Sequence, residues 1–262
     1  MTTTSSVVPG VRRIPVWALI VVILIYLAII QVTSTLLTAD LDLEFASPTS
    51  LNELWRSISL GVGLSLVFVY LVVAALRWWR PVFVDDVPTR RWVRWLPVVM
   101  LVTIAAGTNW AGLADRGPTF TLALLATTLI VGFAEEGMFR GLAVTTFRVN
   151  GFSEGRVALW STVLFGLAHS INLFTEGPKA ALQVMITLVT GYFFYLIRRW
   201  AGGLLIPAVL HGLWDFGLIT SSVVPDESYA GGVVFVLADV VMLVIVLIHR
   251  HRVAPMAEVA PA

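Results

Sequence analysis

Long apolar stretches separated by short polar intervals dominate the chain, and the stretches are helical in length. They run approximately from Ile14 to Thr38, Ser57 to Leu76, Leu96 to Trp110, Thr119 to Arg140, Val157 to Ser170, Ala180 to Ile197, Leu204 to Thr220 and Gly232 to Ile248. A hydrocarbon core of roughly 30 Å needs about 20 apolar residues per helix, and only helices or closed barrels satisfy every backbone hydrogen bond there. The pattern predicts an all-α, polytopic membrane protein with about eight transmembrane helices. The third and fifth runs are short for a full crossing.

Composition strengthens that reading. Of 262 residues, 58% are hydrophobic and 13% charged, and the mean hydropathy is +0.90, values that exclude a water-soluble globular domain and a disordered chain. A net charge of +1 provides no basic field for nucleic acid. The absence of cysteine removes disulfides, thiolate metal sites and cysteine nucleophiles. Any catalysis must use oxygen or imidazole.

The cations fall on alternate loops. Fourteen of the 17 Lys and Arg residues collect on one side, in groups at Arg12, Arg77 to Arg94, Arg140 to Arg156, Arg198 and Arg250. The other side holds Arg56, Arg116 and Lys179 with the acidic Asp40, Asp42, Glu44, Asp226 and Glu227. By the positive-inside rule both termini are expected to be cytoplasmic, in an integral, multi-pass protein of the cell membrane. The first apolar run exceeds the roughly 7–15 residues of a signal peptide and is read as a retained helix. Trp17, Trp78, Trp79, Trp92, Trp95 and Trp200 lie near span ends and are read as an aromatic belt. No internal repeat or long linker divides the chain, so one integrated membrane domain is expected.

Ionisable residues inside apolar runs are costly and mark functional sites by default. Here they are Glu135, Glu136, Arg140, His169, His211, Asp215 and Asp239. Glu136 and Arg140 are four apart and share a helix face, so the guanidinium can pair with that carboxylate, either as a structural salt bridge or to orient its neighbour. Glu135 is rotated by about 100° from Glu136 and stays available as a general base. His211 and Asp215 are again four apart, and Phe165 stands in the same relation to His169. A Glu, two His and an Asp from three helices could converge on one water molecule or one metal ion. Asp239 fits no pattern and is read as a hydrogen bond to a neighbouring helix. His249 and His251, among Arg250 and Arg252, are read as a solvated or headgroup-binding tail.

The ordered set Glu-Glu-x-x-x-Arg, Phe-x-x-x-His and His-x-x-x-Asp, each on its own helix and with Phe139-Arg140-Gly141 in the first, resembles the CPBP family of intramembrane proteases. That family includes CAAX prenyl endopeptidases and the bacteriocin-processing or bacteriocin-immunity (Abi) proteins. The resemblance covers residues 119–220, a catalytic core set between three membrane helices in residues 1–118 and a last helix with a short tail in residues 221–262. It implies hydrolysis of a peptide bond in a membrane-associated protein or peptide. Glu135 and His169 would activate water, His211 and Asp215 would stabilise the oxyanion or bind a metal, and Glu136, Arg140 and Phe165 would orient them. Where the prenyl-endopeptidase branch tends to have Asn, this chain has Asp215, and an ionised Asp only accepts hydrogen bonds. A divalent metal such as zinc would be held by Glu135, His169 and His211.

On a straight count of about 1.5 Å per residue, Glu135, His169 and His211 lie at different depths. An extension of the fourth helix through Phe147, or a dipping loop from Val149 to Gly155, would bring them together. Two other function classes fit intramembrane Glu, His and Asp: an immunity-type membrane protein without required catalysis, and a proton-coupled transporter, although the paired broken helices of transporters are missing from the sequence.

Overall fold

The computed structural model describes residues 11–41, 48–87, 89–172, 179–224 and 229–250. Asp42, Glu44, Asp226, Glu227, His251, Arg252 and the side chain of Lys179, which the charge count used, lie outside the described residues. Each of the eight apolar runs coincides with a helix: α1 (Val16–Thr38), α2 (Leu51–Leu76), then, after the short α3 (Trp79–Phe83), α4 (Trp95–Gly107), α5 (Trp110–Val149), α6 (Glu154–Ala168), α7 (Lys179–Ala201), α8 (Leu205–Ile219) and α9 (Gly231–His249).

Five of them, α1, α2, α5, α7 and α9, are long and apolar enough to cross a bilayer. The expectation of about eight crossings is not met by length in α4, α6 and α8, which have 13, 15 and 15 residues. Leu24, Leu36, Leu71, Val102, Leu122, Val233 and Ile248 are exposed on the outer faces. Water would not tolerate so continuous an apolar exterior, whereas lipid imposes no penalty on it. The chain is an integral membrane protein.

Local sequence sets the helix ends. Ser50 accepts from the Glu53 amide at 3.2 Å and Glu53 accepts from the Thr49 amide at 2.7 Å, closing the start of α2 with a reciprocal cap. Gly117, at φ +80°, breaks α5, and Pro118 then opens the main segment at a first-turn position that needs no amide hydrogen. The end of α7 turns through Gly202 at φ +72°, and Gly203 donates back to the Arg198 carbonyl at 3.0 Å, the geometry that satisfies orphan carbonyls at a helix C-terminus.

The interval from Arg77 to Arg94, which the sequence suggested as a loop, is folded. It contains α3, a bridge between Val84 and Gly203 and the buried Trp78, whose indole donates to the Arg12 carbonyl at 3.0 Å. Trp78 is therefore a packing residue and not part of an aromatic belt, while Trp17, Trp79, Trp95 and Trp200 are exposed. His249 is half-buried and stacks on Trp92 with centroids 5.0 Å apart.

The most extensive helix contact is α5 against α8, and two glycines make it. A Cβ on Gly132 would lie 2.2 Å from the Ala208 carbonyl oxygen, and one on Gly212 would lie 2.7 Å from the Leu129 Cα. Neither obstacle is a movable side chain, so any larger residue must push the backbones apart. Ala at either position is expected to cost about 1–3 kcal/mol or more, to lower the melting temperature in detergent and to abolish site function, because Gly212 adjoins His211. Gly63 has nothing within 4 Å of its ideal Cβ, so Gly63→Ala should melt with the wild type. Equal melting of all three variants and the wild type would show that the crossing is not tight.

Candidate active site

Two layers of side chains occupy the α5 and α8 crossing. The inner layer centres on Glu136, which is fully buried. Its Oε1 forms an ion pair with Arg140 Nη1 at 2.8 Å and a hydrogen bond with His211 Nδ1 at 2.9 Å. Arg140 Nη2 donates to the Gly191 carbonyl on α7 at 2.8 Å, and its guanidinium lies 4.0 Å from the Phe165 ring centroid. Phe194, also on α7, stacks on the His211 ring at 4.7 Å. Three helices and two aromatic plates thus fix one carboxylate and one imidazole.

The outer layer is partly open to solvent. Glu135 Oε2 lies 3.7 Å from His211 Nε2 and 3.9 Å from His169 Nε2, and His211 Nε2 lies 3.6 Å from Asp215 Oδ2. His169 Nδ1 pairs with the Phe165 carbonyl at 2.9 Å. A carbonyl only accepts, so Nδ1 donates to it and Nε2 is left facing Glu135. The Phe165 ring meets both His169 and His211 edge to face, at 4.9 and 5.8 Å. Glu135, Glu136, Arg140, Phe165, His169, His211 and Asp215 therefore meet in one place. Asp239 lies apart, on α9, where Thr190 of α7 donates to it at 3.2 Å.

α5 becomes irregular just beyond the two glutamates. This helix continues to Val149, and residues Gly137–Ala143 form a π-helical segment. Such a segment changes the rotation per residue and leaves carbonyls without their usual partners. One of them, the Arg140 carbonyl, accepts from Arg198 Nη1.

Arg198 belongs to a buried ionic cluster that sequence reasoning missed. Asp85 Oδ2 pairs with Arg198 Nε and with Arg148 Nη1, both at 2.9 Å. Arg148 also binds Glu154 Oε1 at 2.8 Å, and Tyr195 donates to Glu154 Oε2 at 2.6 Å. The sequence placed Arg140, Arg148 and Arg198 among the loop cations, yet all three are buried. Charge at the end of an apolar run reads alike whether it meets headgroups or a hidden carboxylate, so only Asp85 in the intervening Arg-rich segment offered a signal.

Among the described residues, no group of three or more His, Asp or Glu could hold a metal ion.

Residues 117–217 match the family described as type II CAAX prenyl endopeptidase Rce1-like. No curated protein and no solved structure matches the chain. The matched residues include all three motifs. The match spans less than half of the chain, and it likens this stretch to the CAAX prenyl endopeptidases, as the motifs do.

Asp85 provides a test of the supporting cluster. Burial pushes its carboxyl upward, but Arg198 and Arg148 outweigh burial and hold it below the ordinary carboxylate range. A depressed folded value means that its stabilisation is complete above the unfolded value of about 3.9 and is lost as pH falls through the lower folded one. Asp85→Asn leaves two buried guanidinium groups without their shared counter-ion and is expected to cost about 3–5 kcal/mol at pH 7. The gap in melting temperature between wild type and variant should narrow below about pH 4. Equal melting temperatures at pH 7 would show that the cluster does not hold the site together.

Proposed function

We propose that the protein is an intramembrane endopeptidase that hydrolyses a peptide bond in a membrane-associated protein or peptide, with Glu135 as general base. The observation that carries this reading is the state of Glu135 Oε2: it is buried, it has no hydrogen-bond partner, and two imidazole Nε2 atoms face it at 3.7 and 3.9 Å. Two acceptors at the longer spacing suit one water that donates to Glu135 and to His169, about 2.8 Å from each.

The water oxygen attacks the substrate carbonyl carbon while Glu135 takes its proton, and His169 holds its other hydrogen. With Nδ1–H given to Glu136, a second proton on His211 Nε2 supplies a donor for the oxyanion. Asp215, which accepts but does not donate when ionised, steadies that protonated ring in place of contacting the oxyanion. Collapse of the tetrahedral intermediate breaks the C–N bond, and Glu135 returns its proton to the leaving nitrogen. Glu136 and Arg140 orient His211, and Phe165 keeps the two imidazoles apart.

The test offers purified protein prenylated CAAX peptides and unmodified membrane-anchored peptides, and reads cleavage by mass spectrometry with and without chelator. Wild type should cleave, and Glu135→Ala and His211→Ala, checked for folding by helical circular dichroism and melting, should be slowed by at least about 100-fold. Cleavage by a folded Glu135→Ala variant at the wild-type rate would end the proposal. The chelator arm reports on a divalent metal at Glu135, His169 and His211.

A further inference from the structure

The start of α1 and the end of α2 enclose a cavity of about 430 Å³, lined by Val11, Arg12, Ala75, Leu76, Arg77 and Trp78. Small-molecule sites span about 300–1,000 Å³, so it is large enough for one polar group. None of its lining residues belongs to the proposed active site.

The turn that shapes the cavity is a Schellman cap. Arg77 donates to the Ala74 carbonyl at 3.0 Å and Trp78 to the Val73 carbonyl at 2.9 Å, which satisfies the last carbonyls of α2. Arg77 stands in the left-handed region, at φ 58° and ψ 37°, and among the described residues no other non-glycine has a positive φ. Glycine usually fills this position, because a side chain there is strained. Here the strained position presents a guanidinium. The buried Trp78 brings a second one to the same place, since its indole donates to the carbonyl of Arg12, 66 residues away in the chain, at 3.0 Å.

The adjacent cations are already engaged: Arg13 donates to Asn150 Oδ1 at 2.9 Å, and Arg80 pairs with Asp86 Oδ2 at 3.2 Å. Arg12 and Arg77 are exposed, and among the described residues neither guanidinium has a hydrogen-bond or ion-pair partner. The surface next to them is apolar. Ala75 and Leu71, four apart on one face of α2, are both exposed, so the cationic rim adjoins lipid-facing helix.

We infer that this cavity binds the phosphate of an anionic phospholipid, with Arg12 and Arg77 as its cationic ligands and the Leu71 and Ala75 face beside its acyl chains. Two guanidinium groups offer a phosphodiester paired N–H donors and opposite charge. A free phosphate matches the cations equally but makes no use of the apolar wall. The inference does not depend on the peptidase reading.

The full chain is melted in neutral detergent micelles with added phosphatidylglycerol, phosphatidylcholine or inorganic phosphate at equal concentration. Phosphatidylglycerol should raise the melting temperature by about 3–6 °C more than either of the others. Arg12→Gln with Arg77→Gln should abolish that gain, while Arg91→Gln with Arg156→Gln, which removes the same charge outside the cavity, should keep it. Arg77→Gly gives a separate reading because it relieves the left-handed strain: without lipid it should melt at or above the wild type, and with phosphatidylglycerol it should gain less. Native mass spectrometry should find one phosphatidylglycerol fewer retained on the cavity double variant than on the wild type. Equal gains from phosphatidylglycerol and phosphatidylcholine, a gain that the cavity variant keeps, or a gain that the control variant loses as fully would overturn the inference. An equal gain from inorganic phosphate would overturn the assignment to lipid.

Discussion

One buried carboxylate organises the centre of this protein. Glu136 has no access to solvent, so its charge survives only because Arg140 and His211 meet it at 2.8 and 2.9 Å. Those two partners do more than neutralise it. Arg140 carries the attachment onward to the Gly191 carbonyl of α7, and His211 is the residue that α8 brings to the crossing. A single charge therefore locks three helices, and it selects which nitrogen of His211 is free to face the reacting atoms. The neighbouring Glu135 needs the opposite treatment. Held one residue away, on a different face, it keeps an oxygen without a hydrogen bond, as the proposed general base requires.

The clamp in turn needs a backbone that delivers both glutamates at the right depth. Both end a regular α-helical stretch, and the π-helical segment from Gly137 to Ala143 that follows carries Arg140. Its cost is an irregular carbonyl at Arg140, which Arg198 covers. Arg198 is itself held by Asp85, and Asp85 by Arg148. The ionic cluster near the Arg-rich end is thus the foundation of the site, although no member of it reaches substrate. The glycine crossing of α5 and α8 plays the complementary part, bringing the backbones close enough for a short imidazole–carboxylate bond.

The helical architecture and the three motifs were legible in the sequence for simple reasons. Apolar runs of lipid-facing helices do not depend on partners, and residues four apart on a helix share a face wherever the helix sits. Glu136 with Arg140, His169 with Phe165, and His211 with Asp215 obey that rule. What sequence could not show depends on tertiary contact. The site depths relied on a straight count through a segment that is π-helical. Arg148 and Arg198 looked like loop cations because their counter-ion Asp85 is distant in the chain, and Trp78 looked like an interfacial anchor until Arg12 gave it a buried acceptor. Phe194 carries no motif at all, and its significance lies in the His211 ring that it stacks on. Length supports five full crossings among the eight apolar runs, because α4, α6 and α8 are apolar yet short, and α6 and α8 are the helices that bring the histidines to the site.

The most direct test of the clamp replaces both halves of its ion pair at once, in Glu136→Met with Arg140→Met. Removing one partner would strand a buried charge, whereas removing both leaves an apolar pair that a membrane core accommodates. The double variant should keep its helical content and melt within a few degrees of the wild type, and yet cleave membrane-anchored peptide at least about 100-fold more slowly, because His211 has lost the acceptor that orients it. Cleavage by this folded variant at the wild-type rate would contradict the view that Glu136 organises the site.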